Sequence, residues 1–311
     1  MKATQNQNIF PLTMLLILLL PAFACVRKAE QMEGPTMGTL AIMADENMKD
    51  IVKQEEEIFE RNYQYAHLNI QYATEHDVME AFLKDSIRTI MINRALTDEE
   101  KNYLVQQNSN PRQILFATGA IAFIKNRKAA DTTYVYEDLL RRFKDDAGGS
   151  VFVLENAKSG ITQEILKLLK QDQLPKHFYA LNTKQEVLEY VESHENAIGI
   201  VDYSDFSDTD SAYTKDVLSK IHLLGVTRPA DSTQVGFVQP FQYNLQDRKY
   251  PFTRDLYFIS KTGREDVGIG FASFICGEIG QKIILKAGLL PKFQSERNIE
   301  LNYTNDIKVV K

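Results

Sequence analysis

The sequence of 311 residues is poor in several features that usually reveal a protein's chemistry. It contains no tryptophan and only two cysteines, Cys25 and Cys276, too few for a structural zinc site or a disulfide framework. It has no run of five or six basic residues, and 42 acidic residues against 36 Lys and Arg give a net charge of −6. This balance argues against a nucleic-acid partner.

Motifs typical of enzymes are also missing. The five histidines show no metal-binding spacing, and neither a nucleophile elbow nor a phosphate-binding Walker loop occurs. Glu55, Glu56 and Glu57 lie in one predicted helix and indicate a solvated face. We therefore predict a protein that is not an enzyme and that uses no cofactor and no metal.

The composition nevertheless predicts a folded protein. Hydrophobic residues make up 44% of the chain and charged residues 25%, which is outside the range of disordered chains. The length favours two domains over one.

The amino terminus predicts export. Residues 9–24 read IFPLTMLLILLLPAFA, an apolar run that follows Lys2 and is interrupted by Pro11 and Pro21. It is short for a membrane-spanning helix of about 20 residues, and it predicts a signal peptide over residues 1–24. Its removal takes away Lys2 and makes the mature chain one charge more negative.

Cys25 follows this segment directly, with alanine at the first and third positions before it. The arrangement resembles the lipobox of bacterial lipoproteins, which implies that Cys25 is acylated and that residues 25–36 are a lipidated tether. The alternative is a cleaved secretory signal beside an unpaired cysteine. A disulfide with Cys276 is less favoured, because Cys276 lies in an amphipathic helix pattern as a buried, small apolar residue.

The body of the chain alternates short apolar strands with amphipathic helices. This pattern predicts an α/β protein with a parallel sheet covered on both faces. Predicted strands cover residues 39–43, 67–72, 89–93, 113–124, 150–154, 197–201 and 256–260. Predicted helices cover residues 45–62, 75–84, 97–107, 135–143, 161–170, 184–193, 215–220 and a long segment within 267–287.

Seven segments, in order, resemble the PstS-like phosphate-binding proteins of bacterial ABC transporters. They begin with GTLAIMADENMKDIVKQEEEIFERNY and INRALTDEE, continue with FATGAIAFIKN, NAKSGITQEIL and ENAIGIVDYS, and end with KYPFTRDLYFIS and GQKIILKAGLLP. The resemblance spans about residues 37–295.

The resemblance implies the type II periplasmic-binding-protein fold, in which two α/β lobes are joined by two crossing strands and hold a ligand in the cleft between them. Lobe one would comprise residues 37–118 and 250–311, and lobe two residues 119–249. The implied partners are phosphate or a similar oxyanion, an ABC permease and a membrane reached through the lipid anchor. We expect a monomer.

Three turns before helices are candidate anion sites, because free N–H groups at a helix amino terminus attract negative charge. In NAKSGIT, Ser159, Gly160 and Thr162 are the candidates, and an ordinary serine cap is the alternative. In ADENM, Asn47 is the candidate, with capping as the alternative. The third turn is Thr118-Gly119, where a strand kink at the crossover explains the sequence equally well.

Arg94, in INRALTDEE, is the candidate side chain for gripping two oxygens of a tetrahedral anion. Its alternative is an ion pair with Asp98 or Glu99.

Three residues depart from the family's loop, which reads Arg-x-Asp-x-Ser-Gly-Thr. Here Glu155, Ala157 and Ile161 replace its arginine, aspartate and threonine. An acid in place of the arginine repels an anion, and Ala157 cannot accept the proton of hydrogen phosphate.

The sequence therefore predicts a solute-binding lipoprotein that captures an inorganic oxyanion, with phosphate favoured, for an ABC transporter in the cell envelope. The alternative is a protein of the same scaffold that has lost phosphate binding and serves in protein interaction or signalling.

Overall fold

The computed structural model describes residues 33–145, 149–229, 236–263 and 265–293. The predicted signal peptide and the predicted lipidation site Cys25 lie outside these residues.

Twelve strands are present in the described ranges: β1 Met37–Asp45, β2 Tyr65–Ala73, β3 Thr89–Ile92, β4 Arg112–Asn126, β5 Thr133–Tyr134, β6 Val151–Glu155, β7 Phe178–Leu181, β8 Ala197–Asp202, β9 Ile221–Leu223, β10 Gly225–Val226, β11 Thr253–Ser260 and β12 Leu290–Pro291. The α-helices are α1 Lys49–Asn62, α2 Glu75–Leu83, α3 Asp98–Gln106, α4 Tyr136–Lys144, α5 Gly160–Leu169, α6 Lys184–Ser193, α7 Ala212–Lys220, α8 Gln242–Gln246, α9 Val267–Cys276 and α10 Glu278–Lys286. Short 3-10 helices span Glu46–Met48 and Tyr203–Phe206.

The main sheet has the strand order β2-β1-β3-β11-β4-β8-β6-β7, and β9 and β12 also pair with β4. Strands β1, β2 and β3 are parallel to one another, as are β6, β7 and β8. However, β11 runs antiparallel to β3 and β4, and β4 runs antiparallel to β8. The prediction of a parallel sheet is therefore wrong for the central strands. A strand that is buried on both faces has a continuous apolar sequence, and this sequence does not reveal whether the strand runs parallel or antiparallel to its neighbours.

Strand β4 connects the two halves of the molecule. Its first half pairs with β11 and its second half with β8, and every residue from Ala120 to Ile124 is fully buried. Such a continuous apolar run is expected of a strand that is covered on both faces.

The hydrophobic core divides at the same place. One cluster draws its residues from Ala120 to Phe252. Two others lie in the other lobe, one that includes Ala117 and Leu256 and one that includes Phe82 and Ile90. Each core belongs to one of two α/β lobes, and the lobes meet along β4 and β11. The lobe boundaries predicted from the sequence stay predictions.

The long helix predicted within residues 267–287 is two helices. Helices α9 and α10 are bent by 58° at Gly277. Cys276, the last residue of α9, is half-buried, and burial raises the pKa of its thiol to about 11. No single helix of the described ranges has the length and apolarity to cross a membrane, while the bent pair α9 and α10 passes that test only when taken together.

Helix α1 corrects the prediction of a solvated face. Glu57 is exposed, but Glu55 is fully buried, and neither of its carboxyl oxygens has a hydrogen-bond partner. Burial raises the pKa of Glu55 to about 9. Three consecutive glutamates point in different directions around a helix, so one of them faces the core.

Candidate functional site

The amino terminus of α5 lies buried where the two lobes meet. Ser159 is its N-cap, and the Oγ atom accepts a hydrogen bond of 3.2 Å from the amide of Thr162. The Thr162 hydroxyl donates to the carbonyl of Asn156 at 2.8 Å. Both side chains are 1% exposed. The capping role that the sequence offers for Ser159 is therefore present, and its ligand contact stays a prediction.

Gly160, the first residue of α5, contacts three charged side chains of the other lobe. A Cβ atom added at this position would lie within 2.7 Å of Asp45 Oδ2, Glu75 Oε2 and Arg254 Nη2. Asp45 ends β1, Glu75 begins α2 and Arg254 lies in β11. Only a glycine lets the helix terminus come this close to the charged group.

Arg254 is the buried cation of this site. Its Nη1 lies 3.2 Å from Asp202 Oδ2 at the end of β8, and its Nη2 lies 3.8 Å from Asp45 Oδ2. The side chain is 3% exposed. Arg254 stands in the segment KYPFTRDLYFIS but is not among the candidate residues predicted from the sequence. The available signal is the alternation of the strand, in which Arg254 falls on the same face as the buried Leu256 and Phe258.

Asp45 is completely buried beside this arginine. Its Oδ1 accepts from the amide of Asn47 at 3.1 Å, and its Oδ2 accepts from Asn93 Nδ2 at 3.0 Å. Burial raises the pKa of Asp45 to about 6, with Arg254 lowering it and Glu75 raising it. The Asp45 carboxyl therefore keeps its proton to a higher pH than an exposed aspartate does.

Arg94 is brought to the site, but its guanidinium is already paired. Its Nε donates to Glu75 at 2.7 Å, and Nη1 and Nη2 each donate to Glu100 at 2.8 Å. The alternative of an ion pair therefore applies, with Glu75 and Glu100 as the partners and not Asp98 or Glu99. This two-pronged geometry fixes the guanidinium plane.

Asn47 lies in the 3-10 helix Glu46–Met48, which contacts the turn before α5. Asn156 Nδ2, in that turn, donates to Glu46 Oε1 at 3.2 Å. The Nδ2 atom of Asn47 is buried and has no hydrogen-bond partner. The contact of Asn47 with an oxyanion stays a prediction.

Thr118 and Gly119 lie in β4, where they pair with Asp255 and Arg254 of β11. The Thr118 hydroxyl donates to Asp255 at 2.7 Å, and a Cβ atom on Gly119 would meet Leu289 and Leu256. These contacts agree with the alternative of a crossover strand.

Glu155 interacts with the charges of Glu46 and Lys184. Burial first and then Glu46 raise its pKa, whereas Lys184 lowers it. Ala157 is exposed. Beside it, Lys158 Nζ lies 3.7 Å from Asp77 of the other lobe.

A cavity of about 830 Å³ opens beside Gly160, between α2 and α5. It is lined by both helices and by the segment that follows β3. Its charged lining residues are Glu75, Glu80, Arg94, Glu100, Glu164, Lys167 and Arg254, and its apolar ones include Met79, Leu83 and Leu96.

One group among the described residues has the spacing of metal ligands. His76, Asp77 and Glu80 place their ligand atoms within 4.8 Å of one another. Asp77 is already engaged by Thr74 and Lys158. Exposed or half-exposed side chains of this kind do not by themselves define a metal centre.

Two α/β lobes, shared strands and a charged cavity between the lobes define the class of two-lobed binding proteins. Residues 29–278 match the family model of the PBP superfamily domain. The chain belongs to this family.

Solved structures support the same fold. A putative phosphate ABC transporter substrate-binding protein from Clostridium perfringens, with bound phosphate, is 17% identical with a TM-score of 0.65, over 82% of this chain and 99% of that one. An ABC-type phosphate transport receptor from Vibrio cholerae is 15% identical with a TM-score of 0.64, over 82% and 100%. PstS from Borrelia burgdorferi is 18% identical with a TM-score of 0.55, over 83% and 99%. No curated protein matches the chain.

Proposed function

We propose that this chain is the solute-binding protein of a bacterial ABC transporter and that it holds a phosphate-type oxyanion between its lobes. The observation that carries this proposal is the buried Arg254 guanidinium against Gly160, at the amino terminus of α5. A helix terminus and a buried guanidinium both stabilise negative charge. The phosphate-binding proteins among the similar structures add support.

The carboxyl groups of the site favour an anion that carries a proton. Asp45 and Glu75 accept hydrogen bonds but donate none when ionised. Hydrogen phosphate can donate its proton to such an acceptor, whereas sulfate has no proton to donate at neutral pH. These two side chains fill the role for which the sequence offered no candidate at Ala157, and phosphate is accordingly preferred to sulfate.

Capture would proceed by closure of the lobes without any chemical reaction. Two contacts between the lobes form in the turn before Gly160, from Asn156 to Glu46 and from Lys158 to Asp77. A ligand that touches both lobes stabilises the closed arrangement over an open one. The proposal includes release to a permease, action as a monomer outside the cytoplasm, and anchoring through a lipid on Cys25.

One observation favours the alternative function, a scaffold that no longer binds phosphate. Arg94 is paired with Glu75 and Glu100, and Arg254 with Asp45 and Asp202. Protein carboxylates thus already contact both cations, and an anion must compete with them.

Isothermal titration of the full chain with phosphate and sulfate separates the two functions. The solute-binding proposal expects phosphate to bind more tightly than sulfate, and expects Arg94→Ala to weaken phosphate binding at least tenfold, because Glu75 then carries an unpaired charge beside the ligand. Arg61→Ala, at an exposed arginine of α1, is the control. An absence of heat and of any thermal shift with every anion would overturn the proposal in favour of the alternative.

A further inference from the structure

The cavity beside Gly160 extends far beyond the reach of a single small ion. Gly160, Gln163, Glu164 and Lys167 all line it, and their spacing places them on one face of α5. From Gly160 to Lys167 the helix rises about 10 Å at 1.5 Å per residue. A tetrahedral ion held at Gly160 therefore leaves the far end of this face without a contact.

The opposite wall is also one face of a helix. Glu75, Met79 and Leu83 lie four residues apart on α2 and line the same cavity, over a rise of about 12 Å. Together, the α2 and α5 faces form an elongated groove, which we call the α2–α5 groove.

The chemistry of the α2–α5 groove changes along its length. Near Gly160 it is charged, with Arg254, Glu75 and Arg94. Farther along α2, Met79 and Leu83 supply apolar surface, and Leu96 adds to it from the segment after β3; we call these three residues the apolar floor. The charged Glu80, Glu164 and Lys167 also line this part of the groove. The volume of about 830 Å³ lies within the range of pockets that bury organic ligands, about 300–1,000 Å³.

We infer that the ligand is an organic phosphate, whose phosphate-type group lies at Gly160 and whose carbon-bearing part lies along the apolar floor of the α2–α5 groove. This inference rests on the proposed function and narrows its ligand from an inorganic ion to an ester or phosphonate. Burying each methylene group of the organic part on the floor strengthens binding about fourfold.

The test compares inorganic phosphate, phenyl phosphate and phenol by isothermal titration of the full chain. Phenyl phosphate is expected to bind at least tenfold more tightly than inorganic phosphate, and phenol alone is expected not to bind measurably. Ala95, which is half-buried, lines the groove. In Ala95→Phe, the phenylalanine ring should therefore occupy the space in which the organic part of the ligand would lie. In this variant, the ratio of the affinity for phenyl phosphate to the affinity for inorganic phosphate should fall toward one.

The exposed Ala130 gives a matched control, because Ala130→Phe should keep the wild-type ratio. The wild-type ratio tests the inference even if Ala95→Phe does not fold. Inorganic phosphate binding as tightly as phenyl phosphate to the wild-type chain would overturn the inference and leave the proposed function standing. Phenol binding as tightly as phenyl phosphate would also overturn it. Binding of neither phosphate would overturn the proposed function itself.

Discussion

Arg254 and Asp202 form a buried ion pair at the junction of the lobes, with 3.2 Å between Nη1 and Oδ2 and side chains that are 3% and 7% exposed. Asp45 Oδ2 lies 3.8 Å from the same guanidinium. One arginine thus neutralises two carboxylates that have little access to water. Removal of one of these buried charges would leave the others without a counter-charge, which destabilises the folded protein.

Arg254→Met should destabilise the protein by about 3–5 kcal/mol, because it leaves Asp45 and Asp202 buried without a counter-charge. Urea unfolding followed by circular dichroism measures this loss. The double variant Arg254→Met/Asp202→Asn should recover about 1–3 kcal/mol of it, since the two positions are coupled. Arg61→Met, at an exposed site, should be close to neutral. A loss below 1 kcal/mol in Arg254→Met would show that the pair does not stabilise the fold.

Gly160→Ala should cost about 1–3 kcal/mol and weaken phosphate binding. The added methyl group would collide with the ends of Asp45, Glu75 and Arg254, and these ends can move only by breaking their ion pairs. Gly34→Ala is the matched control, because a Cβ atom there meets nothing within 4 Å. Thermal unfolding and phosphate titration of both variants provide the comparison. Equal behaviour of the two variants would contradict the close approach of the lobes.

The titration of Asp45 should appear in the pH dependence of stability. Its pKa rises from 3.8 in the unfolded chain to about 6 in the folded protein, so its stabilising contribution is complete below pH 3.8 and is lost as the pH rises through 6. This loss amounts to about 3 kcal/mol at most. In Asp45→Asn, stability should fall less steeply between pH 4 and 7. Parallel profiles of variant and wild type in urea unfolding would refute the shift.

Glu55 should make the protein less stable at alkaline pH. Its pKa rises from 4.5 to about 9, so the stability that its bound proton provides is lost as the pH rises from 4.5 through 9. Replacing this unpartnered carboxyl by Glu55→Leu should stabilise the protein by about 1–3 kcal/mol at pH 8. Glu57→Leu, on the exposed side of the same helix, should not. Thermal unfolding at pH 5 and pH 8 measures the difference. If Glu55 were solvated, Glu55→Leu and Glu57→Leu would have the same effect on stability.

Local patterns in the sequence predict most of the elements that form the site. Ser159 followed by Gly160 and an apolar repeat predicts the start of α5, and the Thr97 to Glu100 spacing forms a capping box at the start of α3. These signals act over three or four residues, and a single sequence displays them directly.

The charged partners of Gly160 could not be found in the same way. Arg254 is far from Gly160 in the chain, and only the antiparallel placement of β11 beside β4 brings it there. The burial of Glu55 has the same origin, since it depends on which face of α1 packs on the core. Long-range packing determines both the position of Arg254 next to Gly160 and the burial of Glu55. Such packing cannot be read from the spacing of residues within one short segment.

The pairing of β11 with β4 has a consequence for how the protein would move. Arg254 stands opposite Gly119, next to the point where the hydrophobic cores of the two lobes divide. Because Arg254 lies at the junction about which the lobes would rotate, it would be displaced little when they open. Gly160 lies on a helix of lobe two and would be displaced more. Arg254 would therefore keep nearly the same position while the turn before α5 moves toward it as the lobes close.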